Sequence, residues 1–231
     1  MLNHTPQDRA QYVNKTFSRI ARHYDLMNRL MTGGMDILWR KEVIQLAGLS
    51  AGCKLLDLGT GTGDLARAAL RHVPTAEITA ADFTLEMMTA GNKWNSIRRC
   101  TADALNLPFG NGSFDAIISG FLMRNVSNVS QALNEQYRAL IPGSRIVILD
   151  TTRPRPNLLS PLIRIYLRYV IPFLGTLITG DKEAYTYLPE STRNFLRAED
   201  LASAMEKAGF VDVTFRIRMF GTIAIHTARK P

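Results

Sequence analysis

From Lys54 to Asp150, short apolar runs of strand type alternate with helical ones, and no other feature limits the possible folds of this chain as strongly. Lys54 to Leu58 precedes a helical Asp64 to His72, Glu77 to Asp82 precedes Leu85 to Trp94, and Ile97 to Asp103 precedes a turn. Phe114 to Ser119 then precedes Val129 to Leu140, and Arg145 to Asp150 closes the series. Such alternation builds right-handed βαβ units, a parallel sheet with helices on both faces. Glu199 to Ala208 is again helical, Gly209 stops it, and Val211 to Ile217 and Thr222 to His226 follow as a close-spaced pair. The expectation is an α/β fold, a Rossmann-like seven-stranded sheet that is mostly parallel with an antiparallel last strand. Ahead of the sheet, Val13, Phe17, Ile20, Tyr24, Met27 and Met31 predict one amphipathic helix over 9–31. Gly33 and Gly34 stop it, and Asp36 to Ala47 predicts a second helix closed by Gly48. Pro74, Pro108 and Pro142-Gly143 predict turns between runs.

The chemistry concentrates after the first strand, in Leu55-Leu56-Asp57-Leu58-Gly59-Thr60-Gly61-Thr62-Gly63-Asp64. Alternate glycines at a strand-to-helix turn allow positive φ and bring backbone N–H groups close to a ligand over the helix N-terminus. Asp82 ends the second strand 19 residues after Gly63, where a carboxylate can accept both hydroxyls of a ribose. Asp103 ends the third strand run, where it can accept from an exocyclic amine of adenine. The pattern departs from a dinucleotide fingerprint, because Asp64 stands where that fingerprint has its last glycine. An acid there repels a pyrophosphate and suits a sulfonium cofactor with an ammonium group. Asp57 argues the same way.

At these residues the chain resembles class I S-adenosylmethionine-dependent methyltransferases, through D-L-G-T-G-T-G-D at 57–64, Asp82 and A-D-A-L-N-L-P-F at 102–109. More narrowly it resembles the ubiquinone/menaquinone C-methyltransferase family (UbiE/MenG). The residues carrying this are F-S-R-I-A-R-H-Y-D-L-M-N-R-L at 17–30, Trp39-Arg40, M-R-N-V at 123–126, Y-T-Y-L-P-E-S-T-R-N-F at 185–195 and A-G-F at 208–210. The resemblance implies cofactor contacts at Thr62, Asp82, Asp103 and Ala104, with Gly59, Gly61 and Gly63 shaping the turn. Gly120 stands where the family has a serine, and Ser119 is its neighbour. Asp150-Thr151-Thr152-Arg153-Pro154 stands where E-F-S-K-P is common.

The implied reaction is transfer of a methyl to a ring carbon of a polyprenylated quinol, most of all demethylmenaquinol, with no metal. The catalytic candidates are Arg124 and Asn125 after the fourth strand, and His23 and Tyr24 on an amino-terminal lid. Which of them takes the proton is open. Tyr187, Ser191 and Arg193, from the second family motif, are the substrate-binding candidates, whereas mid-strand His226 reads as a core or edge histidine. The implied organisation is a helical lid at 1–50, a cofactor core at 51–150, a substrate- or lipid-facing insertion at 151–197, and a last helix with a strand pair at 198–231.

Charge and cysteine count narrow the setting. The 231 residues hold 28 lysines and arginines against 20 acids, a net charge of +8. Four arginines (Arg153, Arg155, Arg164, Arg168) and no acid fall between Thr151 and Gly180. This stretch is also strongly apolar, but Arg164, Arg168 and Pro172 interrupt what a membrane span needs to keep apolar. Three readings are open for 157–180: an interfacial helix on a membrane surface, the wall of a tunnel for a prenyl tail, or a helix packed in the core or against the second subunit of a homodimer. Nucleic acid is not expected as a partner, since no arginine-rich arm or aminobase-flipping signature is present. Cys53 and Cys100 form no disulfide framework and residues 1–8 form no apolar leader, so a cytoplasmic setting at the inner membrane face is expected. Competing functions are methylation of another small lipophilic acceptor and a non-catalytic cofactor-binding subunit of a quinone-synthesis complex.

Overall fold

The computed structural model describes residues 6–91, 94–154, 161, 165–181, 183–185, 187, 191–192 and 195–231. Three helices come first: α1 (Pro6–Ile20), α2 (Tyr24–Thr32) and α3 (Met35–Ala47). The alternating core follows as β1 (Lys54–Leu58), α4 (Asp64–His72), β2 (Glu77–Asp82), α5 (Leu85–Ala90), β3 (Arg98–Thr101), β4 (Phe114–Gly120), α6 (Val129–Ala139) and β5 (Leu140–Thr151). A π-helical turn, Tyr166–Val170, leads into α7 (Ile171–Thr179). The chain ends with α8 (Ala198–Lys207), β6 (Val211–Arg218) and β7 (Ile223–Arg229).

The sheet order is β3-β2-β1-β4-β5-β7-β6. All pairs among β1 to β5 are parallel, and β7 runs antiparallel to both β5 and β6. The seven-stranded, mostly parallel expectation with its antiparallel last strand is met. Covered on both faces, the central strands carry apolar residues at successive rather than alternate positions. Leu55 and Ile118 belong to the core on one face, and Leu56 and Ile117 to the core on the other. Each such side chain contributes about 1.5–3 kcal/mol by leaving water.

Four local expectations are corrected. The predicted 9–31 helix is two helices, separated by a 3₁₀ turn at Ala21–His23. The bend brings the rings of Phe17 and Tyr24 edge-to-face at 5.9 Å, so tertiary packing overrides an unbroken helical periodicity. α5 stops at Ala90 rather than Trp94, because the backbone turns extended at Gly91, which passes so close to Thr62 that a Cβ there would lie 2.3 Å from the Thr62 carbonyl oxygen. The third strand ends at Thr101, which leaves Asp103 in the turn beyond it. Pro142-Gly143 does not precede the fifth strand but lies inside it, at a register shift in its pairing with β4.

His226, in β7, is buried between β5 and β6 as the sequence suggested. Its Nε2 donates to the Ala198 carbonyl at 2.9 Å, and Nδ1 has no partner among the described residues. Burial holds this imidazole below the usual histidine range, against the opposing pull of the Ala198 carbonyl. The folded state therefore binds fewer protons here than the unfolded state does. The contribution to stability is complete above the unfolded value of about 6.5 and is lost as pH falls below it. Asp57, raised to about 6 by burial, acts with the opposite sign in a neighbouring window, so wild type alone does not isolate the histidine. Urea unfolding of wild type and His226→Gln, followed from about pH 7.5 to about pH 5.5, should show wild type losing stability relative to the variant. Parallel curves would remove the histidine from the acid response.

Candidate active site

The glycine turn is built from below. Gly59 and Thr60 donate their N–H groups to the Ala81 carbonyl at 2.8 and 3.0 Å, which ties the end of β1 to β2. Asp57 is fully buried under the turn, where its Oδ2 accepts from Thr60 Oγ1 at 2.7 Å and from the Ala66 N–H at 2.9 Å. Burial pushes this carboxyl up to about 6, and those two hydrogen bonds oppose the rise. The expectation of Asp57 as a cofactor group is corrected: its side chain points toward the first turn of α4, away from the ligand side.

A cleft of about 230 Å³ lies over the carboxyl ends of β1, β2 and β4. It brings together six of the expected positions, Gly59, Gly61, Asp82, Asp103, Ala104 and Gly120, with Tyr24 and Asn125. Asp82 accepts from the Gly61 N–H at 2.7 Å through Oδ2 and from the Thr84 N–H at 2.8 Å through Oδ1. Burial raises its pKa, and the backbone N–H groups of Thr84, Gly61 and Phe83 oppose this by bonding the charged form. Each oxygen has a second lone pair, so a carboxylate already holding the rim can still accept from a diol. Asp103 spends Oδ1 on the Leu105 N–H at 2.9 Å and is otherwise exposed. Gly59 has φ +69°, and a Cβ there would lie 2.9 Å from Leu122 Cδ1, so the turn needs glycine both for backbone and for space. An adenosyl group fits these residues: a side-chain-free cradle, a carboxylate for the ribose and a second one for the amine.

Besides Asp57, three further expected cofactor positions lie off this cleft. Thr62 is buried behind the turn; its hydroxyl donates to Asp25 Oδ1 at 2.6 Å, and its carbonyl accepts from Arg67 Nη1 at 2.6 Å. Gly63 sits under the Trp94 ring, 2.5 Å from a would-be Cβ. Ser119 is fully buried in β4, with no hydroxyl partner among the described residues. Gly120 takes the rim position because a Cβ there would approach Leu65 Cδ1 to 2.9 Å.

The amino-terminal helices roof the cleft with Val13, Phe17 and Tyr24. The Tyr24 phenol is raised by burial, with Arg124 and Asn28 lowering it in part, so it keeps its proton at neutral pH. His23 is exposed on the 3₁₀ turn and does not line the cleft, so it is not placed to take a proton there. Arg124 is buried behind the wall: Nη1 donates to Asp150 Oδ1 at 2.8 Å, its backbone N–H to Asp150 Oδ2 at 3.2 Å, and the guanidinium lies 5.0 Å from the centre of the Phe121 ring. Asn125 is on the wall; Nδ2 donates to the Phe121 carbonyl at 3.0 Å, and Oδ1 accepts from the Tyr187 hydroxyl at 3.0 Å. The Tyr187 ring meets Tyr12 edge-to-face at 5.5 Å. Ser191 is buried, and Arg193 lies outside the described residues.

The sequence reading missed the latch behind the turn. Arg40 and Asp64 border a small cavity with Tyr24, Gly61 and Thr62, and form a close ion pair. Asp36, fully buried, pairs with Arg29 at 2.8 Å and Arg40 at 3.2 Å, while Arg67 holds Asp64 at 2.6 Å. The i, i+4 spacing of Asp36 and Arg40 was visible, but their burial against α4 was not.

The profile of the ubiE/COQ5 methyltransferase family matches residues 5–230. A protein of Desulfotalea psychrophila named ubiquinone/menaquinone biosynthesis C-methyltransferase UbiE is 45% identical over 217 residues, 93% of this chain and 88% of that one. The demethylmenaquinone methyltransferase of Thermus thermophilus is 42% identical over 220 residues, 93% of this chain and 100% of that one. Among solved structures, Haemonchus contortus phosphoethanolamine N-methyltransferase 2 with S-adenosylhomocysteine matches with a TM-score of 0.70 at 15% identity, over 99% of this chain and 60% of that chain. The [4+2]-cyclase SpnF matches at 0.68 and 18% identity, over 96% of this chain and 97% of that chain. These two likenesses concern the fold alone. With the family profile spanning nearly all of its length, the chain belongs to the ubiE/COQ5 methyltransferase family.

Proposed function

We propose that this chain methylates a ring carbon of a prenylated quinol, demethylmenaquinol above all, with S-adenosylmethionine held on the glycine rim. The observation that carries this reading is one cleft lined both by groups suited to a nucleoside and by groups suited to a quinol oxygen. Gly59, Gly61, Asp82 and Asp103 suit an adenosyl group, and Asn125, oriented by Tyr187, lines the same cleft, with the Tyr24 ring close over Gly61. Bound there, S-adenosylmethionine supplies an electrophilic methyl on a sulfonium.

The chain's own residues align, enclose and move a proton. Phe17, Val13 and Phe121 exclude water from the cleft, and positioning of this kind accounts for a large part of a transfer barrier. Tyr24 Oη, protonated, donates to a quinol oxygen and orients the ring. The Asn125–Tyr187 pair holds the water that carries away the phenolic proton. Arg124 acts through the loop: pinned by Asp150, it backs the Phe121 ring and fixes the segment that bears Asn125.

The outward faces of the described part of 157–180 favour a peripheral contact with a membrane surface at the cytoplasmic side. Tyr169, Phe173 and Leu177 are each more than half exposed there. Among the described residues no helix is long and apolar enough to cross a membrane. A homodimer through the same face is the alternative occupant.

Incubation with methyl-labelled cofactor should label a short-tailed demethylmenaquinol under reducing conditions and leave the oxidised quinone unlabelled, because its ring is electron-poor. Label on neither would overturn the acceptor. Asp82→Ala should weaken S-adenosylmethionine binding on the order of 100-fold in calorimetry, from the loss of charge-assisted hydrogen bonds. An unchanged affinity removes the ribose assignment. Arg124→Ala should lower turnover by roughly 100-fold through misplacement of the loop, with far less change in cofactor affinity. Equal losses in both would make the arginine a purely structural group.

A further inference from the structure

Five large apolar side chains stand in water over one short stretch: Leu26 and Leu30 on α2, then Met35, Ile37 and Leu38 at the start of α3. Each is between 43% and 57% exposed, an unusual density on the surface of a soluble chain. Leu26 and Leu30 lie one helical turn apart, and the left-handed pair Gly33-Gly34 turns the chain directly into Met35. The corner therefore gathers these five exposed apolar side chains on two consecutive helices. The cleft described above makes no use of it, although α1 and α2 also form the roof of that cleft.

Adjoining this edge through Ile37, a groove of about 380 Å³ runs between α3 and α4. Its wall includes Arg29, Ile37, Lys41, Gln45, Arg71 and His72. The one acid in the wall, Asp64, is already taken up by Arg29, Arg40 and Arg67. Among the described residues, neither Lys41 nor Arg71 has a carboxylate within ion-pair distance, so the groove carries positive charge that no described residue neutralises. Ile37 and Lys41 are four apart on α3, which sets a cation one turn behind an apolar wedge. An apolar edge backed by uncompensated cations matches the layered order of an anionic bilayer, acyl chains first and phosphates behind.

We propose that the α2–α3 corner enters a bilayer surface and that the α3–α4 groove seats the phosphate of an anionic phospholipid. The inference rests on the reading that the acceptor carries a prenyl tail, and it adds a site to the contact read from 157–180. The two surfaces adjoin, because the Tyr166 hydroxyl donates to the Met31 carbonyl at 2.8 Å and so fastens the start of the α7 segment to the end of α2. A second copy of this chain is the poorer occupant, since a two-fold contact on this face brings its unpaired cations toward their own images.

Flotation of the full chain with phosphatidylcholine vesicles, alone and with added phosphatidylglycerol, tests this. Wild type should prefer the phosphatidylglycerol vesicles. Lys41→Glu combined with Arg71→Glu should weaken that binding roughly 10- to 30-fold. Ile37→Ser with Leu38→Ser should weaken binding to both vesicle types. Both variants should keep wild-type turnover on a water-soluble, short-tailed quinol, which also reports that they fold. Absence of a phosphatidylglycerol preference, or a charge variant that binds as wild type does, overturns the headgroup seat. So does calorimetric binding of inorganic phosphate that the charge variant abolishes while vesicle binding is untouched, since a free phosphate is then the ligand. A concentration-dependent dimer in sedimentation that the serine variant dissolves assigns the edge to a second copy and also overturns the proposal. If wild type prefers the anionic vesicles yet turns over no soluble quinol, the headgroup seat stands and the acceptor reading falls.

Discussion

A single buried carboxylate underlies the working end of this molecule. Asp57 leaves the end of β1 toward the first turn of α4 and joins both, through the Thr60 hydroxyl and the Ala66 N–H. A charged acceptor shared between a loop hydroxyl and a helix-terminal N–H uses donors that the start of a helix otherwise leaves unsatisfied. With the loop fixed from beneath, the Gly61 N–H points at Asp82, and that bond in turn fixes the carboxylate at the rim. The cost is visible in the same group: full burial raises the Asp57 pKa toward neutrality, so the brace is strongest where the carboxyl is ionised and its burial is least favourable.

The amino-terminal helices are tied to this turn by polar contacts rather than by apolar packing alone. Asp25 accepts from Thr62, and Asp36, Arg29, Arg40, Asp64 and Arg67 form a continuous chain of charge from α2 and α3 to α4. Buried ion pairs add little net stability when compared with apolar replacements of similar volume, but breaking one leaves an uncompensated charge. Such a network specifies one seating of the roof over the cleft. The packing of Phe17, Met27 and Tyr185 beneath it supplies the area term. The lining of the cleft follows from that seating, because Tyr24 reaches it only if α2 begins where the 3₁₀ turn places it.

Much of the architecture was legible because its signals are local. Uninterrupted apolar runs such as Leu55-Leu56 and Ile117-Ile118 report strands covered on both faces, and helix stops at Gly48 and Gly209 are places where the backbone needs positive φ. The glycine turn and Asp82 were legible for the same reason: strand ends on one edge of a parallel sheet converge whatever the rest of the chain does, and Asp103, two residues beyond the end of β3, falls on the same edge. Side-chain direction was not legible. Asp57 and Ser119 sit at the right strand ends but point under the turn and into the core, and Arg124 points back at Asp150 rather than into the cleft. Nothing in linear spacing separates a residue that faces a ligand from its neighbour that braces it.

The amino-acid sequence by itself determined the order of strands and helices, the glycine rim and the acids beside it, since each depends on periodicity, on backbone freedom at glycine, or on position at a strand end. Only the tertiary structure decided which groups share the cleft. The bend at 21–23, the hydrogen bond from Tyr187 to Asn125 across 62 residues and the latch from Asp36 through Arg40 to Asp64 all arise from contacts between elements distant along the chain. Their energies depend on burial and on the direction of particular atoms, which exist only once the sheet has assembled and the roof has closed on it.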